Sequence, residues 1–274
     1  MLVPNKLSSV LLMSMAILGS VAPNASAQES AAALAKAAQN PIASMISLPL
    51  QNNTTFNVGP EDKTLNVLNI QPVWPFSVGE NWNVITRTIL PVISQPGFGG
   101  QSRENGVGDI NFTSFFSPKD SGKWTWGAGP TVVLPTASDD RLGNDNWQGG
   151  ASFVALTMPG QWVVGGLVSN VWSLGGGGAD DPDINQMVIQ PFINYNFPDS
   201  GGWYFSTAPI ITANWEADDS SDTWTVPLGG GFGKIFKVGK QPLNAQFQAF
   251  YNVVKPDNAG DWQMRLQLQF LFPK

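Results

Sequence analysis

The chain of 274 residues has no cysteine and no histidine. Without cysteine there is no disulfide and no thiolate nucleophile, so the fold is not stabilised by covalent cross-links. Without histidine the usual general base and the commonest metal ligand are missing, and Ser-His-Asp catalysis is excluded. Charge is also scarce. Charged residues make up 12% of the chain, with 14 basic residues against 20 acidic ones. That acidic balance argues against nucleic acid as a partner. Beyond the N-terminus no run of 18 apolar residues exists, which excludes a transmembrane helix. It does not exclude membrane-crossing strands, whose alternating faces keep the mean hydropathy near neutral.

What is present begins with a leader. Lys6 is the only charge in residues 1–27; an apolar stretch from Val10 to Leu18 follows, then the small-residue site Ala25-Ser-Ala27. Residues 1–27 read as a secretory signal peptide, leaving a mature chain with 13 basic and 20 acidic residues, net −7. Residues 28–43 form a separate N-terminal segment. Ala31 to Ala38 favours helix and Asn40-Pro41 stops it. This segment either sits at or inside a periplasmic mouth as a plug or is a mobile tether, since short isolated helices are marginal in water.

Residues 44–274 read as one domain. Trp82, Trp124, Trp162 and Trp203 lie 42, 38 and 41 residues apart, each after a turn rich in Gly, Pro or Asp. Between these turns lie two long strand-like runs and one longer polar loop. The twelve expected strands are 45–57, 64–76, 81–93, 107–117, 123–135, 149–158, 161–173, 184–197, 202–215, 222–235, 242–254 and 261–272. In the last of these, Trp262, Met264, Leu266, Leu268, Phe270 and Phe272 share one face, and Gln263, Arg265, Gln267 and Gln269 the other. Strands 242–254 and 184–197 alternate in the same way; 149–158 and 161–173 are too apolar and Gly-rich for their faces to be assigned. The polar face is carboxamide and hydroxyl rather than Lys and Glu, which suits an enclosed lumen. About eleven residues at ~3.3 Å each, tilted by ~40°, cover an apolar band of about 25 Å. An even number of long strands, with short turns at one end and long loops at the other, predicts an all-β fold: an antiparallel transmembrane β-barrel of about twelve strands in the cell outer membrane.

The aromatics support this reading. Trp82, Trp124, Trp162 and Trp203 mark the short-turn end, and Trp172, Trp215, Trp224 and Trp262 the long-loop end, as two interfacial girdles. The long loops carry 16 acidic residues against four basic ones, so the outward rim is expected to be acidic. The acidic runs Gly175–Asp183 and Glu216–Asp222 lack EF-hand spacing and read as solvated loops; loose divalent-ion bridging to lipopolysaccharide is the alternative. Gly229-Gly-Gly-Phe-Gly233 lies inside a strand pattern, where small residues would leave space in the lumen.

Only Arg87 and Arg265 fall deep inside strands, with Asp109 near the level of Arg87 and expected to pair with it. These three, with Gln190, Gln248 and Gln267, are the candidate lumen and constriction residues. They serve either as structural bracing or as a pore constriction. Paired carboxylates lie only in loops, and no enzyme activity, metal or cofactor is expected.

The runs Asn40-Pro-Ile-Ala-Ser-Met-Ile-Ser-Leu-Pro-Leu-Gln-Asn-Asn53, Asn69-Ile-Gln-Pro72, Trp82-Asn-Val-Ile-Thr-Arg-Thr-Ile-Leu-Pro91 and Gly106-Val-Gly-Asp-Ile110 resemble a family of Gram-negative outer-membrane barrels. That family resembles the meta-pathway phenol-degradation proteins and is often labelled as transporters, some members being mislabelled neuromedin U. The resemblance implies a barrel and passage of small molecules; it carries over no functional residue. The expected function is an outer-membrane pore or transporter for passive passage of small molecules, hydrophobic or aromatic ones included. The alternative is a structural or surface barrel with a closed lumen. The expected partners are outer-membrane lipids and lipopolysaccharide, the barrel-assembly machinery and a small-molecule solute.

Overall fold

The computed structural model of the protein describes residues 25–175 and 183–273. One helix, α1 (Ala25–Gln39), precedes fifteen strand segments. They are β1 (Ile46–Val58), β2 (Lys63–Ile70), β3 (Val73–Val78), β4 (Trp82–Gln95), β5 (Glu104–Val107), β6 (Ile110–Pro118), β7 (Thr125–Leu134) and β8 (Trp147–Thr157). Then come β9 (Trp162–Gly175), β10 (Asn185–Asn196), β11 (Trp203–Thr207), β12 (Ile211–Asn214), β13 (Trp224–Val238), β14 (Gln241–Val254) and β15 (Trp262–Phe272).

All pairings are antiparallel between neighbours, and β1 closes the ring against β15, from Ile46 opposite Phe272 to Phe56 opposite Trp262. Three crossings are interrupted: β2 and β3 at Gln71-Pro72, β5 and β6 at Gly108-Asp109, and β11 and β12 at residues 208–210. Counting each of those pairs once gives a closed barrel of twelve crossings. Closure pairs the first and last strands, so neither is left as a free sheet edge.

The expected strands 64–76, 107–117 and 202–215 are therefore not continuous. Pro72 and Pro209 have no N–H to give a ladder. The wall still holds at two of the breaks: Gln71 N donates to Pro49 O at 2.9 Å, Thr88 N to Pro72 O at 3.1 Å and Gly108 N to Pro91 O at 2.9 Å.

Outside, the wall is apolar. Trp82, Trp124, Trp162 and Trp203 at one end, and Trp172, Trp215 and Trp262 at the other, are all more than two-fifths exposed. Trp224 is half-buried against Trp215, edge to face at 5.4 Å. No tryptophan fills a core. Amphipathic indoles at both ends of an apolar band are what a bilayer's two interfaces select.

Inside, the short-turn half is packed. Ile42 joins Ile85, Phe115, Val154, Leu156, Val163, Leu167 and Phe192 in one apolar cluster. This assigns the faces of β8 and β9: Gln148, Ser152, Val154 and Leu156 point inward from β8, and Val163, Leu167 and Val171 from β9. Around the β8–β9 turn both faces are apolar because one meets lipid and the other this cluster. A second cluster gathers Ala35 of α1 with Met45, Tyr204, Ile235 and Leu271. So α1 packs into the barrel at its short-turn end. It is pinned there by two reciprocal amide bonds, Gln39 Nε2 to Asn196 Oδ1 at 2.8 Å and Asn196 Nδ2 to Gln39 Oε1 at 3.1 Å. Asn40 Oδ1 then accepts from Ile42 N at 2.9 Å and turns the chain into the wall. Of the expected leader, residues 1–24 lie outside the described residues, and residues 25–27 open the helix.

Within the glycine run of β13, Gly233 has a different role from the one expected. A Cβ on Gly233 would lie 2.1 Å from the Tyr204 ring, so this glycine makes room for Tyr204 rather than for open lumen. Tyr204 is fully buried and donates from its hydroxyl to Asn244 Oδ1 at 2.7 Å.

Candidate functional site

Among the described residues the lumen holds two well-formed cavities, and no residue lines both. The one nearer the short turns has a volume of about 160 Å³ and is roofed at its short-turn side by Ala37, Ala38, Gln39 and Asn40. Strand alternation brings Arg87, Gln190, Arg265 and Gln267 to its wall, together with Gln51, Gln71, Asn194, Gln246 and Gln269. Four of the six residues singled out from the sequence thus meet around one space. Gln248 stands behind it, fully buried. Its Oε1 accepts from Arg265 Nη1 at 3.2 Å, and its Nε2 donates to Ser206 Oγ at 3.0 Å.

Arg265 is 4% exposed and held on several sides. Its Nε donates to Asn53 Oδ1 at 3.1 Å and its Nη1 to Ala208 O at 2.8 Å, and the guanidinium lies 5.1 Å over the Phe250 ring. The half-buried Arg87 donates from Nη2 to Gln71 Oε1 at 2.6 Å. All these acceptors are neutral. Among the described residues neither arginine forms an ion pair.

Asp109 does not pair with Arg87. Its Oδ1 accepts from Thr136 N and Ala137 N, both at 3.0 Å, and its Oδ2 from Asn144 N at 2.7 Å. The reason is local. Asp109 sits in the break between β5 and β6, where its carboxylate meets the N–H groups of loop 135–146, which no strand satisfies. This loop bends into the barrel and buries Leu142 to 5% exposure. Asp109, Leu142 and Asn144 help to line the second cavity, of about 320 Å³, at the long-loop side.

On β6 to β9 a row of hydroxyls runs at the level where the cavity nearer the short turns (the lower one) gives way to the second (the upper one). Thr113 and Thr131 are bonded at 2.9 Å, Thr131 and Ser152 at 2.5 Å, and Ser152 donates to Ser169 at 2.8 Å. Leu167 faces the lower cavity and Ser169 the upper one, which places the changeover at this level.

At the long-loop rim, acids are held by local donors. Lys63, then the Gly99 N–H, keeps Glu61 below the usual carboxylate range. Arg141 does the same for Asp139, and is itself raised by Asp139 and then Glu104. The Ser221 N–H and hydroxyl lower Asp219, which caps the short 3-10 turn Ser220–Asp222. Asn57 and then Lys255 lower Asp261. Glu216–Asp222 is thus a self-capped loop, and no cluster of metal-ligating side chains occurs among the described residues. Most of Gly175–Asp183 lies outside them.

Sequence reasoning missed the partners of the two arginines. Asn53 could have been found by pairing the first and last strands in register, which sets Asn53 opposite Arg265. Gln71 could not, because Pro72 interrupts the alternation that would have assigned its face.

No protein-family model matches the chain, and no curated protein does. Among solved structures, the crystal structure of the COG4313 outer membrane channel from Pseudomonas putida F1 is similar at a TM-score of 0.63 and 17% identity, over 83% of this chain and 95% of that one. The NanC porin is similar at a TM-score of 0.52 and 8% identity, over 84% of this chain and 100% of that one. At these identities the likeness is one of fold: a barrel of the outer-membrane type.

Proposed function

We propose that this protein is a pore of the Gram-negative outer membrane that passes small molecules passively, including those with an apolar or aromatic body. The observation that carries this reading is the lumen itself. A closed ladder surrounds two cavities of about 160 and 320 Å³ that follow one another along β9, where Leu167 lines the first and Ser169 the second. The cavity wall supports the apolar part of the reading, since Leu167 and Phe192 present hydrocarbon beside its polar groups, where a sugar channel needs donors and acceptors. The barrel fold shared with a channel and a porin supports passage, and the resemblance to phenol-degradation proteins supports aromatic solutes. In this orientation α1 lies at the periplasmic mouth and the acidic loops face lipopolysaccharide.

One observation favours a closed structural barrel instead: α1 and both apolar clusters fill the short-turn half. Liposome swelling separates the two readings. A pore of this kind speeds entry of small aromatic alcohols over sugars of similar size. A barrel that admits no solute from such a panel is structural.

A further inference from the structure

The lower cavity contains an imbalance that neither bracing nor passage of neutral solutes requires. Two guanidiniums, Arg87 and Arg265, face it, and among the described residues no carboxylate does. An arginine cannot shed its charge at accessible pH. In a wall of low dielectric a lone positive charge is costly unless it is paired or hydrated. The C-terminal end of α1, which roofs the cavity, supplies only about half a negative charge, too little for two cations.

Their donors are also not used up. Arg265 spends Nε and Nη1 on Asn53, Ala208 and Gln248, which leaves Nη2. Arg87 spends one N–H on Gln71 and keeps the rest of its five. No fully buried side-chain nitrogen or oxygen lacks a partner among the described residues, so the unbonded guanidinium nitrogens are accessible, and the cavity is the space that both arginines line. Beside them lie the apolar side chains of Leu167 and Phe192.

We propose that the lower cavity is a binding site for a small organic monocarboxylate with an apolar body. The carboxylate would accept from Arg87 and Arg265, the pairing geometry guanidinium favours, and the body would lie against Leu167 and Phe192. The size suits a single ring: an apolar cavity of about 150 Å³ admits benzene, and this one measures about 160 Å³. One carboxylate does not cancel both cations, so the occupied site still prefers anions over cations. The proposal rests on the pore reading only for how the anion arrives.

The test uses benzoate and its neutral isostere benzamide on the full barrel in detergent, with binding read by calorimetry. Benzoate should bind and benzamide should bind at least about tenfold more weakly, as loss of a charge-assisted bond requires. Arg87→Gln and Arg265→Gln should each weaken benzoate by a similar factor, and Arg265→Lys by less. If Arg265→Gln gives no heat-modifiable folded band, Arg87→Gln and Arg265→Lys carry the comparison. Equal binding of the two probes, or no binding of benzoate to the wild type, overturns the site. Planar-bilayer conductance is measured on the same preparation. Benzoate binding without conductance keeps the site and removes the pore, whereas conductance without benzoate binding removes the site and keeps the pore.

Discussion

Asp109 holds three backbone N–H groups of one loop, so its carboxylate does the work of a cap for a segment with no ladder of its own. Asp109→Ala leaves those donors unpaired and should cost about 1–3 kcal/mol in the stability of that loop. Because Leu142 and Asn144 of the loop narrow the upper cavity, single-channel conductance should rise. Unchanged conductance would show that the loop does not restrict the path. Gly233 makes the opposite case, where a missing side chain matters. Gly233→Ala drives a methyl into the Tyr204 ring and should destabilise the barrel by about 1–3 kcal/mol. Thermal unfolding of the folded band should show it, and adding Tyr204→Leu should recover part of the loss. The rim carboxylates set a pH limit. Glu61, Asp139, Asp219 and Asp261 have depressed folded values, so their support is present above the ordinary carboxylate value and is lost as pH falls through the depressed one. The chain holds no histidine or cysteine, the side chains whose ordinary values lie closest to the window between about pH 5 and 8. Protease resistance of the long loops should stay flat across that window and fall only below about pH 4. A transition near pH 6 would contradict this.

Among the elements, α1 is the one whose place depends on the rest of the fold. Its alanines favour helix, but a short helix is marginal by itself. Contact of Ala35 with Tyr204, Ile235 and Leu271, and the Gln39–Asn196 amide pair, hold it in the mouth. Deleting residues 28–40 should therefore raise conductance, read in planar bilayers on barrels that still migrate as folded. No change would mean that the helix lies beside the path. The interrupted crossings follow another rule. Pro72 and Pro209 break the ladder locally, while neighbouring strands carry the register past the gap.

For the whole molecule, closure and girdles give a testable orientation. An epitope tag at Asp218, on the long-loop side, should be accessible on intact cells, and one at Asp199, in a short turn, should not. The reverse labelling would invert the topology. The unheated protein in detergent should migrate apart from the boiled one, as closed barrels do, and should stay with the outer-membrane fraction after a salt wash. Recovery as a soluble protein would end the membrane reading.

The barrel was legible because its signals are local and periodic: turn residues, a two-residue alternation, and indoles at strand ends, each fixed by backbone chemistry or by the bilayer interface. The inward placement of Arg265, Gln267 and Gln190 followed from that alternation. It failed on β8 and β9, where, around their turn, lipid outside and packed hydrocarbon inside select the same residue types. It also failed at Asp109, because a carboxylate's partner is decided by whichever unsatisfied donors the folded loop brings within about 3 Å, not by its height along a strand. The barrel, its strand count and the faces of its clearly alternating strands were readable in the chain alone, since there each residue's side of the wall follows from its immediate neighbours. That α1 enters the mouth, that two cavities follow one another along the lumen, and that both arginines line one cavity with no carboxylate among the described residues came from the tertiary structure. Those features depend on contacts between strands far apart in the chain, set by ring closure and packing volume.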